Sequence, residues 1–298
     1  MPAYQAADHH RMVCERLEAV ERGECKRLMI FMPPRHGKSE LVSRRFPAWY
    51  LGRNPAKQFI SASYGADLAS DFGRDVRNIL GTGEFNALFP GIGLAQDSAA
   101  KNRWHTNHDG SYVAAGVGTA ITGRGADILN IDDPVKDRVE AESEVTRKTV
   151  LDWYTSTAYT RLMPGGSIVL TMTRWHELDL AGTLLEDAKT GVDKWDVVCL
   201  PGLANAADDP LQRKANECLW PTRYDETALA KIRAAIGERD FGALYQQDPR
   251  PSGTSFFDVN DLLVGGEPVD PPAVCQTIVA VMDTAVKTGT KNDGTGSL

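Results

Sequence analysis

The chain reads as an α/β protein with a mostly parallel sheet and helices on both of its faces. Three observations carry that reading. Short apolar runs alternate with longer segments of helical periodicity, the pattern of strand–helix–strand units. Three of those runs break off into polar clusters, at 33–39, 132–133 and 171–174, and open sheets of this class collect ligands at such carboxyl ends. Finally, "FMPPRHGKSE" at 31–40 carries the second half of a phosphate-binding G-x-x-x-x-G-K-[ST] pattern in Gly37, Lys38 and Ser39.

The elements follow in order. Met12, Val13, Leu17 and Val20 share a helical face that ends at Gly23, and "RLMIFM" then suits a buried strand. "ELVSRRFPAWYL" reads as a helix that Pro47 shortens or kinks. "KQFISAS" is a second strand, and "GADLASDFGRDVRNIL" a helix with Leu68, Phe72, Val76 and Ile79 on one side. "RWHT" and "SYVAAG" form an antiparallel pair, and "ADILNIDDP" is an apolar run closing in acids. A long helix over "EAESEVTRKTVLDWYTSTAYTRL" leads to the strand "GSIVLTMT". Residues 1–250 read as one domain. The stretch 251–273, dense in Pro, Gly and Asp, reads as a linker, and 274–298 as the start of a second domain, too short for a core of its own.

With 42% apolar and 24% charged residues, the 298-residue chain has the balance of a soluble globular protein. It shows no run long enough to span a membrane and no signal peptide at its start. Cys14, Cys25, Cys199, Cys218 and Cys275 are odd in number and form no C-x-x-C pair, which predicts free thiols in a reducing compartment. A net charge of −7 argues against a passive DNA coat while leaving room for a motor with a small basic patch.

The loop at 33–39 carries most of the chemistry. Lys38 is placed to neutralise phosphate oxygens and Ser39 to hold Mg²⁺, with Pro34, Arg35, His36 and Gly37 completing the cradle. Met32 stands where the pattern has its first glycine, and Pro33 and Pro34 stiffen the entry instead. Arg35 points at a γ-phosphate or forms a structural ion pair, two readings of equal weight. In "ILNIDDP", Asp132 is placed for the metal shell and Asp133 for the attacking water, although Asn130 interrupts the apolar run. Thr171 and Thr173 lie two apart and would sense phosphate or water, or be ordinary strand hydroxyls. Arg124, between glycines in "TGRGAD", is expected on a loop beside the nucleotide, either as a trans-acting finger or as a solvated side chain.

Other signals read more plainly. His105, His108 and Asp109 suggest a metal site without a fourth ligand, so solvated polar residues are the simpler account. Asp67, Asp71 and Asp75 mark a solvated helix face. His9 and His10, near Tyr4 and Gln5, line an adenine pocket or belong to a fraying terminus.

"RLMIFMPPRHGKSE", "TGRGADILNIDDP", "TMTRWH" and "FGALYQQDPRP", in that order, resemble the large terminase subunit of tailed bacteriophages. The resemblance covers roughly the first 250 residues and continues weakly through "VAVMDTAVKTGTKNDG". It implies a P-loop, RecA/ASCE-like ATPase that uses ATP and Mg²⁺, followed by the start of a ribonuclease H-like nuclease. It implies that Asp132 binds metal, Asp133 activates water, Arg124 is the trans finger, and Thr171 to Arg174 couple hydrolysis to movement. Asp283 and Asp293 match the nuclease's opening strand, with Asp283 in an incomplete metal site whose later acids would lie beyond Leu298, so DNA cutting is not expected of this chain. The implied partners are double-stranded DNA, a portal protein, a small terminase subunit and further copies in a ring, all in the host cytoplasm and none in a membrane. A RecA-like helicase or recombinase shares the loop, the acid and the finger. A non-catalytic nucleotide switch is the third reading, against which Lys38, Asp132 and Asp133 weigh.

Overall fold

The structure, a computed structural model, describes residues 4–250 apart from 97, 99, 122, 192, 206 and 208, together with four two-residue strands further on. It divides into two compact units, Met1–Pro249 and Arg250–Leu298. The first contains β1 (Arg27–Phe31), β2 (Gln58–Ser63), β3 (Arg103–His105), β4 (Ser111–Gly116), β5 (Ala126–Asp132), β6 (Leu162–Met172) and β7 (Asp196–Cys199). They form one sheet in the order β3-β4-β2-β5-β6-β1-β7. Only β3 runs antiparallel, against β4, as its pairing with "SYVAAG" predicts.

The helices of this unit are α1 (Asp8–Glu21), α2 (Phe46–Arg53), α3 (Ala66–Leu80), α4 (Gly83–Leu88), α5 (Arg138–Glu142), α6 (Glu144–Trp153), α7 (Leu180–Lys189), α8 (Glu226–Ile236) and α9 (Glu238–Gln246). The side-chain alternation of a strand sends them to two faces. Leu28 and Ile30 of β1 pack with Val13 and Leu17 of α1, Leu51 of α2 and Val76 of α3 in one core. Met29 and Phe31 of the same strand pack with Val150 and Trp153 of α6 and Leu184 of α7 in the other. The helix-covered parallel sheet is the predicted architecture. Among the described residues, no helix is long and apolar enough to cross a membrane.

Four local expectations are corrected. The helix after the loop opens as a π-helical stretch, Glu40–Arg45, and becomes α-helical only at Phe46. Pro47 has no N–H for the carbonyl four residues back, so the change of register falls where that bond is missing. The single long helix over 140–162 is broken at Ser143, whose backbone is extended (φ −74°, ψ 113°) and whose hydroxyl accepts from Thr146 N–H as the cap of α6. Its last turns are π and then 3₁₀, and β6 already begins at Leu162. On α3 the buried stripe is Ala69, Phe72, Val76 and Leu80, leaving Leu68 and Ile79 half-buried. The acidic face is only partly solvated, since Asp75 binds Arg44 at 2.8 Å.

In the second unit, Leu263–Val264 (β8) pairs antiparallel with Glu267–Pro268 (β9), and Met282–Asp283 (β10) with Gly296–Ser297 (β11). Asp283 therefore lies on a strand, while Asp293, Cys275 and most of the linker fall outside the described residues. The described cysteines are free thiols.

Candidate nucleotide site

Met32 is fully buried in the core, which explains why the loop can do without a glycine there. The chain leaves β1 through Pro33 and Pro34 and then reverses handedness twice. Arg35 has φ 63° and Gly37 has φ 94°, with His36 between them outside the left-handed region. Alternation of this kind curls successive N–H groups toward one concavity, the backbone nest that binds anions. Arg35 costs roughly 1–2 kcal/mol in that conformation, a strain placed where a ligand can use it. Its side chain is exposed and, among the described residues, has no ion pair within 4.0 Å, so it is not a structural salt bridge.

The loop's lysine is not a surface side chain. Lys38 is 6% exposed, and its ammonium donates to Asp133 Oδ1 at 2.7 Å, Asp133 Oδ2 at 3.0 Å and Thr173 Oγ1 at 2.8 Å. Thr173 N–H also donates to Asp133 Oδ1 at 2.8 Å. Sheet order makes this possible. β6 lies between β1 and β5, so the residues after these three strands meet at one carboxyl edge. Register does the rest, with Asp132 beside Thr171 and Thr171 beside Ile30.

Asp132 is buried at the end of β5, and Ser43 Oγ donates to its Oδ2 at 2.7 Å. Asn130 Nδ2 donates in turn to Ser43 Oγ at 3.1 Å, which leaves the Ser43 proton free to face the carboxylate. The polar residue that interrupts the strand is therefore part of the acid's support. Burial, and then the negative charge of Asp133, push the Asp132 carboxyl up to about 6, opposed by Lys38 and by hydroxyls of Ser43 and Ser39. Asp132 Oδ1 is buried with no hydrogen-bond partner among the described residues. A hard oxygen acceptor without a donor, with the Ser39 hydroxyl beside the same carboxylate, fits a divalent cation such as Mg²⁺.

The two threonines divide. Thr173 holds Lys38, whereas Thr171 is fully buried and its hydroxyl has no partner among the described residues. Arg174 turns away from the loop and donates to Asp179 at 2.8 Å. Neither His9 nor His10 frays. Both are buried in α1, and both contact the carbonyl of His36 from beneath the loop. Gln5, rather than either histidine, lines a polar cavity of about 370 Å³ with Trp220 and Arg213. Sequence reading missed Ser43, Trp220 and Tyr224, whose ring stacks on His36 at 4.5 Å. Only the helical phase of Ser43, four residues after Ser39, points inward, and nothing local marks the two distant aromatics. His105 and His108 bond Ser98 and Asn107, and no cluster among the described residues is able to hold a metal through three such ligands.

With that geometry in place the comparisons can be read. The model for the N-terminal part of the T4likevirus-type terminase large subunit matches residues 29–242, more than half of the chain and all of the strands that build the site except the first two residues of β1. The chain belongs to that family. Among solved structures, the HK97 bacteriophage large terminase is similar at 13% identity and a TM-score of 0.53, over 84% of this chain and 51% of that one. A mutant of the ATPase domain of a Thermus phage large terminase is similar at 13% identity and a TM-score of 0.51, over 83% of this chain and all of that one. These likenesses show the P-loop fold, and the chain spans about half the length of the HK97 protein. Among curated proteins there is no match.

In this terminase chain the backbone of Arg124 lies just before the amino end of β5. The connection from β4 must return to the amino end of β5, where Gly125 abuts Gln58 and Met163. From Ala126 to Asp132 the strand then spans roughly 20 Å at ~3.3 Å per residue. Its side chain lines a cavity of about 420 Å³ with Arg103 and Ser70, and also with Ala66 and Gly116, the latter level with Asp132 across β2.

Proposed function

We propose that this chain is the ATP-hydrolysing motor subunit that drives double-stranded viral DNA into a prohead. The observation that carries the reading is the meeting of Lys38, Asp133 and Thr173 within 3.0 Å at the mouth of a backbone nest. In that reading the N–H groups of residues 34–39 cradle the phosphates and Lys38 neutralises their oxygens. Ser39 and Asp132 would hold Mg²⁺, which when bound offsets the charge that develops on the transferred phosphoryl group. Asp133 orients a water and accepts its proton as the oxygen attacks the γ-phosphorus and the bond to the β–γ bridging oxygen breaks. Thr173, fixed to both Lys38 and Asp133, reports which of them is engaged.

Arg124 acts on a neighbouring copy, and Arg35 is the finger within the subunit if Arg124 is not. A ring on a portal protein, a small terminase subunit and the host cytoplasm complete the setting that family membership suggests. The test is phosphate release with DNA present, run beside a translocation assay on duplex DNA and a strand-separation assay. Turnover with duplex movement and intact strands supports the motor. Strand separation would favour a helicase, and nucleotide binding without phosphate release a switch.

A further inference from the structure

His9 and His10 stand on α1, well before the loop, yet both aim a ring nitrogen at the same backbone atom. His9 Nε2 lies 3.2 Å and His10 Nε2 3.1 Å from the carbonyl oxygen of His36. A carbonyl only accepts, so each Nε2 carries the proton. The tautomer of His10 is fixed a second time, because its Nδ1 accepts from Ala7 N–H at 3.2 Å. His36 uses its own Nδ1 proton on the Pro34 carbonyl at 2.9 Å. The three rings are buried, and burial holds His9 down to about 3 and His36 to about 4, so they stay neutral.

The consequence falls on the next amide. The peptide between His36 and Gly37 is trans, so its C=O and N–H point in opposite directions. Holding the oxygen down toward α1 directs Gly37 N–H up, into the concavity made by the positive φ values of Arg35 and Gly37. Converging N–H dipoles repel one another until an anion arrives, and an anchor on the far side of the peptide holds them in place beforehand. Two donors on one carbonyl also polarise the peptide and strengthen its N–H as a donor. His10 reaches closer still, since a Cβ at Gly37 would sit 2.7 Å from its Nε2.

We propose that His9 and His10 are positioning residues for the phosphate-binding loop, which pre-set the Gly37 amide by donating to the His36 carbonyl. This rests on reading residues 33–39 as that loop. The test measures ADP affinity and, separately, kcat and KM for ATP in the full chain. His10→Phe and His9→Phe keep a ring and lose the donor, whereas His10→Gln keeps an N–H at nearly the same reach and His10→Asn does not reach. Loss of one donor should weaken ADP roughly 3- to 10-fold and raise KM by a similar factor, with a smaller change in kcat. The Gln variant should return close to wild type and the Asn variant should not. Lys38→Ala is measured alongside. If it loses ADP while the Phe and Asn variants bind as wild type, the positioning role is wrong. If Lys38→Ala itself binds ADP normally, the phosphate-loop reading fails first. Should the Phe variants not fold, the Gln and Asn pair decides, and equal affinity in those two overturns the proposal.

Discussion

Lys38 and Asp133 face each other through two short hydrogen bonds, 2.7 and 3.0 Å, and a third from the same ammonium goes to Thr173. All three lysine protons are thereby engaged. Asp133 is brought there by its backbone. Its φ is 45°, its N–H donates to Thr171 O at 2.8 Å, and its carbonyl accepts from Tyr64 N–H at 3.1 Å. Both peptide groups are tied to the strands on either side, so a left-handed turn delivers a carboxylate on the short aspartate side chain to the lysine. A phosphate competing for Lys38 would release Asp133, which links occupancy of the cradle to the freeing of that carboxylate.

Separate roles for the two ends of this contact predict separate defects. Asp133→Asn should bind ATP with Mg²⁺ at least as tightly as wild type, because Lys38 is freed from a carboxylate. It should hydrolyse ATP at least about 10²-fold more slowly. Lys38→Ala should lose ATP binding itself, and Asp132→Asn the strengthening of that binding by Mg²⁺. Titration calorimetry with and without Mg²⁺ reads all three, and identical binding defects in the two aspartate variants would contradict the assignment.

Support of Asp132 predicts a stability effect that the nucleotide does not enter. Ser43 is the donor on Oδ2 of a buried carboxylate, so Ser43→Ala should lower the unfolding free energy by about 1–3 kcal/mol. Asn130→Asp should cost more, because it sets a second acid into the same buried cluster. Urea denaturation of the two variants and wild type measures both, and a Ser43→Ala midpoint equal to wild type would remove the support role.

Much of this was legible in the residues, for definite reasons. The β1, β5 and β6 runs declare themselves because strands buried on both faces are mostly apolar, and each breaks off into a polar cluster. Asp132, Asp133 and Thr173 stand in those clusters, and Lys38 is marked by the G-K-S triplet. The contacts of His9, His10 and Tyr224 with His36 were not legible, because they join residues far apart in sequence and no periodicity encodes which surfaces meet. The break at Ser143 hides in a helical pattern on both sides, since a serine that caps one helix reads like any polar residue within a longer one.

A trans role for Arg124 predicts complementation between two inactive proteins. Arginine fingers supplied by another copy contribute roughly 10³ to 10⁵ in rate. Lys38→Ala and Arg124→Ala should each be inactive, and mixing them under assembling conditions should restore part of the turnover. Some interfaces in the mixture then join an intact Lys38 to an intact Arg124. A mixture as inactive as its parents, under conditions where wild type turns over, would move the role to Arg35.

The buried histidines predict a specific response to acid. His9 is held at about 3 by burial, far below its ordinary value near 6.5, so below pH 6.5 the unfolded chain binds a proton that the folded chain refuses. Stability from this group is therefore complete above pH 6.5 and is lost as the pH falls toward 3. Asp132 slopes the other way, because its folded carboxyl, raised to about 6, binds a proton that the unfolded one has lost, and so favours the fold between pH 4 and 6. His36, at about 4, and His10, also lowered by burial, add to the His9 slope. Isolating one of them makes the test clean. His9→Gln keeps an N–H for the His36 carbonyl and cannot titrate. Between pH 7 and pH 5 the wild-type protein should lose about 2 kcal/mol more unfolding free energy than this variant, from 1.36 kcal/mol per pH unit over the interval below 6.5. Urea unfolding at the two pH values gives the difference directly. A variant that weakens in step with wild type would mean that His9 is already protonated in the folded chain, and that its Nδ1 has found a partner.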